Sequence, residues 1–204
     1  MNLLIIFLCF VTLFIYKRTQ SYVSINGILM LFILAVLIFI KFKITGDFAP
    51  LGFRLDNFRA TLFPTTIFVF LGIPFLYSIR IKTQRFKAVK WLISLAGLYL
   101  IFGIVQQTFF QSIFTHSLNI LLGNKALSVV LSGIFFAAFH WKAGIKGIKF
   151  GVMALVGGVV LSYLFLSSPN IILLGISHAL LASAYYFWIN DENNLERRLV
   201  LQHA

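Results

Sequence analysis

Long apolar runs separated by short polar stretches recur along the whole chain. Seven of them have the length and continuity of helices, and they cover residues 3–16, 22–42, 61–81, 91–114, 126–141, 148–166 and 170–189. Because a helix rises about 1.5 Å per residue, roughly 20 apolar residues cross about 30 Å of hydrocarbon. The pattern therefore predicts an all-α membrane protein, a polytopic bundle of about seven transmembrane helices.

Two further patterns concern how these helices are connected and packed. Between the second and third runs, apolar and charged residues alternate in "APLGFRLDNFRATLFP", which predicts a short helix in the membrane interface. In the sixth run small residues recur at every fourth position, as Ala154, Gly158 and Ser162. Such a stripe lets a partner helix approach closely, so we expect a compact bundle.

The composition shows no boundary that would divide the chain. Hydrophobic residues make up 60% of the sequence and charged residues 11%, which leaves no room for a soluble domain. We predict one integral membrane domain over residues 1–204. Within it, residues 1–50 form N-terminal helices, residues 51–189 form the core, and residues 190–204 form a cytoplasmic tail.

The net charge of +12 does not indicate a nucleic-acid partner, because the 17 Lys and Arg lie in short blocks between apolar runs. Such blocks contact lipid headgroups and determine topology, so membrane lipids are the expected partners. With the N-terminus outside, the inner loops and the tail hold 12 of these cations and the outer loops hold 5. The asymmetry predicts a cytoplasmic C-terminus.

Every acidic residue lies in a predicted loop or in the tail. The five are Asp47, Asp56, Asp191, Glu192 and Glu196. Intramembrane aspartyl proteases need two carboxylates, and proton-relay pumps need buried Asp or Glu within their helices. The sequence excludes both classes, and the lone Cys9 excludes an intrachain disulfide.

Polar side chains that carry no fixed charge interrupt the apolar runs instead. The candidates are Gln106, Gln107, Gln111, His140 and His178. An unpaired amide or imidazole in hydrocarbon costs several kcal/mol, so we expect these groups to face one another or water in one intramembrane cavity. Two other interpretations stay open: the glutamines are hydrogen-bond glue between helices, and His140 is an interfacial residue at a helix end.

Three of these stretches resemble the motifs of the CPBP family, the CAAX-processing and bacteriocin-processing intramembrane proteases also called Abi proteins. That family carries E-E-x-x-x-R on one span, F-x-x-x-H on the next and H-x-x-x-N on a later one. The corresponding stretches here are "QQTFFQ" (106–111), "FAAFH" (136–140) and "HALLA" (178–182). The flanking "LGFR" and "SSPNIILLGISHALL" add to the similarity, which covers most of the chain from about residue 51 onward.

The resemblance implies a CPBP-type helical bundle and a role for each matching residue. Gln106 or Gln107 would occupy the water-activating position, His140 would be its partner, and His178 would belong to the oxyanion site. Phe136, one turn before His140, would pack beneath the imidazole. The resemblance also implies a bacterial source, and hence the cytoplasmic (inner) membrane.

The departures from the family pattern concern the residues that would do the chemistry. Glutamine orients a water molecule but does not accept its proton, since an amide does not titrate. Gln111 replaces the Arg, which would be a costly buried charge without its carboxylate partners. Ala182 replaces the Asn and removes one oxyanion donor, a loss of roughly 100 to 1000-fold in rate.

Three functions follow as hypotheses. The first is a peptide-bond endopeptidase of the CAAX-processing type, with an impaired site in which His140 alone serves as base. The second is a catalytically inactive binding or regulatory protein that holds a peptide or a lipidated tail. The third, a small transporter component, requires a continuous polar path where the sequence offers a compact cluster. No cofactor is expected, and no metal, because two histidines fall short of the three protein ligands usual at catalytic zinc.

Overall fold

A computed structural model describes residues 1–18, 23–79, 89–141 and 145–189. The helices are α1 (Asn2–Arg18), α2 (Val23–Thr45), α3 (Phe58–Ser78), α4 (Val89–Gln107), α5 (His116–Leu122), α6 (Lys125–His140), α7 (Ile145–Ser167) and α8 (Ile171–Trp188). A 3₁₀ turn, Ala49–Leu51, precedes α3, and a π-helix, Thr108–Thr115, joins α4 to α5. The predicted cytoplasmic tail lies outside the described residues.

The described elements form seven helical rods, because α4, the π-helix and α5 run on without a break. Each rod coincides with one of the seven predicted apolar runs, which confirms the all-α bundle. Among the residues that the structure describes, two stretches, Phe58–Ser78 and Ile148–Ser167, are long and apolar enough by length and composition to cross a membrane.

The π-helix lies directly after the glutamine pair and was not predicted. The Thr115 hydroxyl lies 2.9 Å from the Phe110 carbonyl oxygen, five residues earlier, and 3.0 Å from Oε1 of Gln111, so its single hydrogen is shared between the two acceptors. The Ser112 hydroxyl donates to the Leu51 carbonyl, which anchors the π-helix to the 3₁₀ turn. Wide turns of this kind recur at functional sites in helical proteins.

Glycines allow two helix pairs to pack backbone against backbone. A Cβ at Gly103 on α4 would lie 2.5 Å from the Gly175 carbonyl oxygen on α8. A Cβ at Gly158 on α7 would lie 2.8 Å from Cβ of Phe136 and 3.1 Å from Cα of Gly133 on α6. The second contact confirms that the stripe of small residues in α7 is a packing surface. The two crossings bring α4 against α8 and α6 against α7.

The predicted interfacial helix before α3 is wrong. The segment turns at Gly52, whose φ of +85° is left-handed, and a Cβ there would lie 2.9 Å from Cγ1 of Ile171. Such a backbone cannot continue a helix, and the close contact requires glycine. The Ile171 amide donates to the Gly52 carbonyl at 2.9 Å, so the loop is fixed to the start of α8.

Two asparagines complete this attachment. The buried Asn170 caps α8 by accepting a hydrogen bond from the Leu173 amide, and its own Nδ2 lies 3.0 Å from both the Arg54 carbonyl oxygen and Oδ1 of Asn57. Asn57 in turn donates to the Pro169 carbonyl at 2.7 Å. The flanking stretches "LGFR" and "SSPN" therefore meet in three dimensions and fix the start of α8.

Candidate functional site

His140 is the last residue of α6, and the backbone fixes its ring. Nδ1 lies 2.8 Å from the Phe136 carbonyl oxygen, one turn earlier. A carbonyl only accepts hydrogen bonds, so Nδ1 carries the hydrogen and Nε2 of the neutral ring has the lone pair. This tautomer suits a general base that acts through Nε2.

His178 on α8 lies close to His140, with ring centroids 6.4 Å apart. Phe136 contacts both imidazoles: its ring is stacked on His140 at 4.2 Å and meets His178 edge-on at 5.7 Å. The structure thus brings the two histidines together and places Phe136 against the His140 ring. Both histidines are partly exposed, so each borders open space.

Aromatic rings from two further elements surround His140. Phe110 of the π-helix lies 6.0 Å from the imidazole, and Phe150 of α7 lies 5.8 Å from it. Phe110 also packs on Phe136, with centroids 4.6 Å apart. The imidazole therefore sits in a largely apolar setting, where a charge that develops on a bound substrate interacts more strongly than in water.

Gln106 lines a cavity of about 30 Å³ next to this aromatic cluster. Its other lining residues are Leu34, Val105, Phe109, Phe110 and Phe139. The volume is about that of one water molecule. Phe110 and Phe139 also neighbour the His140 ring, but neither His140 nor His178 lines this cavity.

Gln107 and Gln111 are enclosed in the protein, with 0% and 1% of their surfaces exposed. Gln111 Oε1 accepts from Thr115, but among the described residues nothing bonds to its Nε2 or to either side-chain polar atom of Gln107. A buried polar group without a partner costs about 1–3 kcal/mol. These amides therefore hold unused hydrogen-bonding capacity, which stability alone does not account for.

The remaining predicted position, Ala182, is partly exposed one turn after His178. Its methyl group offers no hydrogen-bond donor. The neighbouring Ser177 hydroxyl donates to the Leu173 carbonyl at 2.8 Å, so its hydrogen is used within α8. The sequence did not single out Thr115, whose hydroxyl donates to Gln111. The pattern that could have revealed Thr115 is a hydroxyl residue one turn after a buried amide.

Metal chemistry finds little support in the donor set. Within the described ranges, no three His, Cys, Asp or Glu side chains are placed to share a metal ion. The sequence between residues 88 and 184 contains no Asp or Glu at all. The site therefore offers two imidazoles and three amides for hydrogen bonding and proton transfer.

Comparison with known protein families finds a match to part of the chain. Residues 88–184 match the family model described as type II CAAX prenyl endopeptidase Rce1-like. No curated protein and no solved structure matches the chain. The matched stretch runs from α4 into α8 and includes both histidines and all three glutamines. Residues 88–184, just under half of the chain, are therefore similar to an Rce1-like (CPBP) domain, and this similarity agrees with the apolar helices that the structure describes.

Proposed function

We propose that this protein is an intramembrane endopeptidase that hydrolyses a peptide bond in a membrane-bound or lipidated peptide. The observation that carries the proposal is the pair of imidazoles 6.4 Å apart, inside the stretch that matches the endopeptidase family. Two neighbouring imidazoles supply both functions that hydrolysis needs, a base for the water and a donor for the carbonyl oxygen.

The tautomer of His140 supports the role of base in this scheme. Its Nε2 takes a proton from water while the water oxygen adds to the peptide carbonyl carbon. A ring N–H of His178 donates to the oxygen on which negative charge develops. When the carbon–nitrogen bond breaks, the His140 imidazolium returns the proton to the leaving amine, giving a carboxylic acid and an amine.

Gln106 has the supporting role in this scheme. Its amide orients the attacking water without accepting the proton. Because residues 88–184 contain no Asp or Glu, no carboxylate of this stretch stabilises the imidazolium that forms on His140. We therefore expect slow turnover, and we expect Gln106→Glu, which adds a titrating group, to change the rate.

The proposal is tested with purified protein and a library of membrane-spanning peptides, some of them prenylated. We expect cleavage by the unmodified protein that disappears in His140→Ala and falls at least about 100-fold in His178→Ala. His116→Ala is the matched control, since this histidine lies in α5 outside the pair. Equal cleavage by the His140→Ala variant and the unmodified protein would overturn the assignment.

A second candidate function is a binding or regulatory protein that holds the same class of peptide without cutting it. It is favoured by the absence of carboxylates in residues 88–184 and by the amide of Gln106 at the cavity, whose Oε1 can accept a hydrogen bond from a polar group. The same library distinguishes the two. Tight peptide binding with no cleavage by any variant, Gln106→Glu included, would favour the binding protein.

A further inference from the structure

The end of α1, which lies outside the family-matched residues, reaches the end of α6 beside His140. The Lys17 ammonium donates to the Trp141 carbonyl at 2.6 Å. The ring of Tyr16 stacks on that of Phe139, with centroids 4.1 Å apart and planes 12° from parallel. The residues on both sides of His140 are therefore held by consecutive residues of α1.

Helix ends need such contacts because their last carbonyl groups lack partners within the helix. Trp141, the residue after His140, is extended, with φ of −60° and ψ of 132°, so α6 stops directly at the histidine. A cation is favourable at this position because the carbonyl end of a helix carries partial negative charge. Lys17 supplies both a hydrogen bond and a charge there.

We propose that Lys17 is a positioning residue for His140. The bond between Nδ1 of His140 and the Phe136 carbonyl belongs to the last turn of α6, which is the turn that frays first when a helix end is freed. By fixing the Trp141 carbonyl, Lys17 keeps this turn closed and keeps Nε2 directed into the site. The inference rests on the proposed function only in taking His140 as the residue whose placement matters.

This role differs from the general one of a cation at a membrane surface, and the chain offers a matched control. Arg18 is the next residue and is also cationic, but its guanidinium carbon lies 5.6 Å from the ring of Phe14 on its own helix. Loss of a membrane-surface charge would affect the two positions alike. Loss of positioning would affect Lys17 alone.

The experiment compares Lys17→Met, Lys17→Arg and Arg18→Met in the full chain, reconstituted in lipid nanodiscs. The rate of His140 acylation by diethyl pyrocarbonate is measured by mass spectrometry, with His178 as the internal reference, and the melting temperature is recorded for each variant. We expect Lys17→Met to change the ratio of His140 to His178 modification at least about threefold. Lys17→Arg and Arg18→Met should keep the ratio of the unmodified protein. Where a substrate is cleaved, Lys17→Met should lower kcat about 10-fold with little change in KM.

An unchanged modification ratio in Lys17→Met would overturn the proposal, and so would a Lys17→Arg variant that behaves like Lys17→Met. Should Lys17→Met lower the melting temperature, the comparison of Lys17→Arg with Lys17→Met decides the outcome, since only Lys17→Arg retains a donor to Trp141. The modification ratio does not depend on turnover. A protein that cleaves nothing would refute the proposed function and leave this result standing.

Discussion

Phe136 is a side chain that contacts both imidazoles. Its ring is stacked on His140 and edge-on to His178. Its Cβ lies at the close contact between α6 and α7, next to Gly158. One buried ring thus links the packing of α6 on α7 to the placement of both histidines. Its position explains why an aromatic residue is suited to the place one turn before His140.

We predict that Phe136→Ala destabilises the protein by about 3–5 kcal/mol, because a buried ring is replaced by a cavity. The measurement is the free energy of unfolding in detergent micelles. Phe63→Ala is the control, since Phe63 is 73% exposed on α3 and its loss leaves no cavity. Equal effects of the two substitutions would show that Phe136 is not a packing residue of the site.

Thr115 has a comparable role for Gln111. We predict that Thr115→Val, which removes the hydrogen shared by the Phe110 carbonyl and Gln111 Oε1, costs about 1–3 kcal/mol. Thr66→Val, on an exposed part of α3, should change stability by less than about 0.5 kcal/mol. The free energies of unfolding of the two variants check the prediction. A neutral Thr115→Val would mean that Gln111 does not depend on this hydroxyl.

At the scale of elements, the contact of α4 with α8 determines where the glutamines lie relative to His178. Gly103 precedes Gln107 by one turn, and a Cβ built on it meets the Gly175 carbonyl and, at 3.3 Å, the Cβ of Ala179. Because Ala179 follows His178 in sequence, any separation of α4 from α8 moves the glutamines away from His178. The crossing is therefore part of the site as well as of the fold.

We predict that Gly103→Ala destabilises the protein by about 1–3 kcal/mol, since an extra methyl group must displace backbone. Gly97→Ala, in the same helix, should be neutral or stabilising by up to about 1 kcal/mol, because a Cβ there meets nothing within 4 Å. Thermal unfolding of the two variants provides the comparison. A destabilised Gly97→Ala beside an unaffected Gly103→Ala would contradict the crossing.

The sequence predicted the helices well because each is an uninterrupted apolar run, and a run of that length has few alternatives in a membrane. It failed at the segment before α3, where the left-handed Gly52 and the bonds of Asn57 and Asn170 override the alternation of apolar and charged residues. Those contacts join residues more than 100 positions apart, so no local pattern reveals them.

The candidate site, like the fold, was predictable from the sequence only in part. The pairing of His140 with His178 follows from the need of each imidazole for a polar neighbour. The π-helix does not follow, because it depends on the Thr115 hydroxyl and on the distant bond from Ser112 to Leu51. Since the π-helix begins directly after Gln107, the sequence did not distinguish Gln106 at the cavity from the enclosed Gln107 and Gln111.

At the scale of the whole molecule, α1 to α3 pack against the family-matched stretch. Phe10 of α1 contacts Phe114 and Phe135, and the loop before α3 binds the start of α8.

The distribution of charge along the whole chain predicts the topology. Because 12 of the 17 cations fall on one side of the predicted spans, we expect a C-terminal reporter that fluoresces only in the cytoplasm to be fluorescent. A fluorescent signal from a reporter that fluoresces only after export, fused at the same site, would contradict a cytoplasmic C-terminus.

Thiol cross-linking shows whether α6 and α8 bring the two imidazoles together inside the bundle. In a Cys9→Ala background, cysteines replace His140 and His178, and a short bifunctional thiol reagent is applied in membranes. We expect an intramolecular link between positions 140 and 178, and little or none between 140 and a cysteine at Leu180, which is exposed on α8. Equal linking of both pairs, or none at 140 and 178, would contradict it.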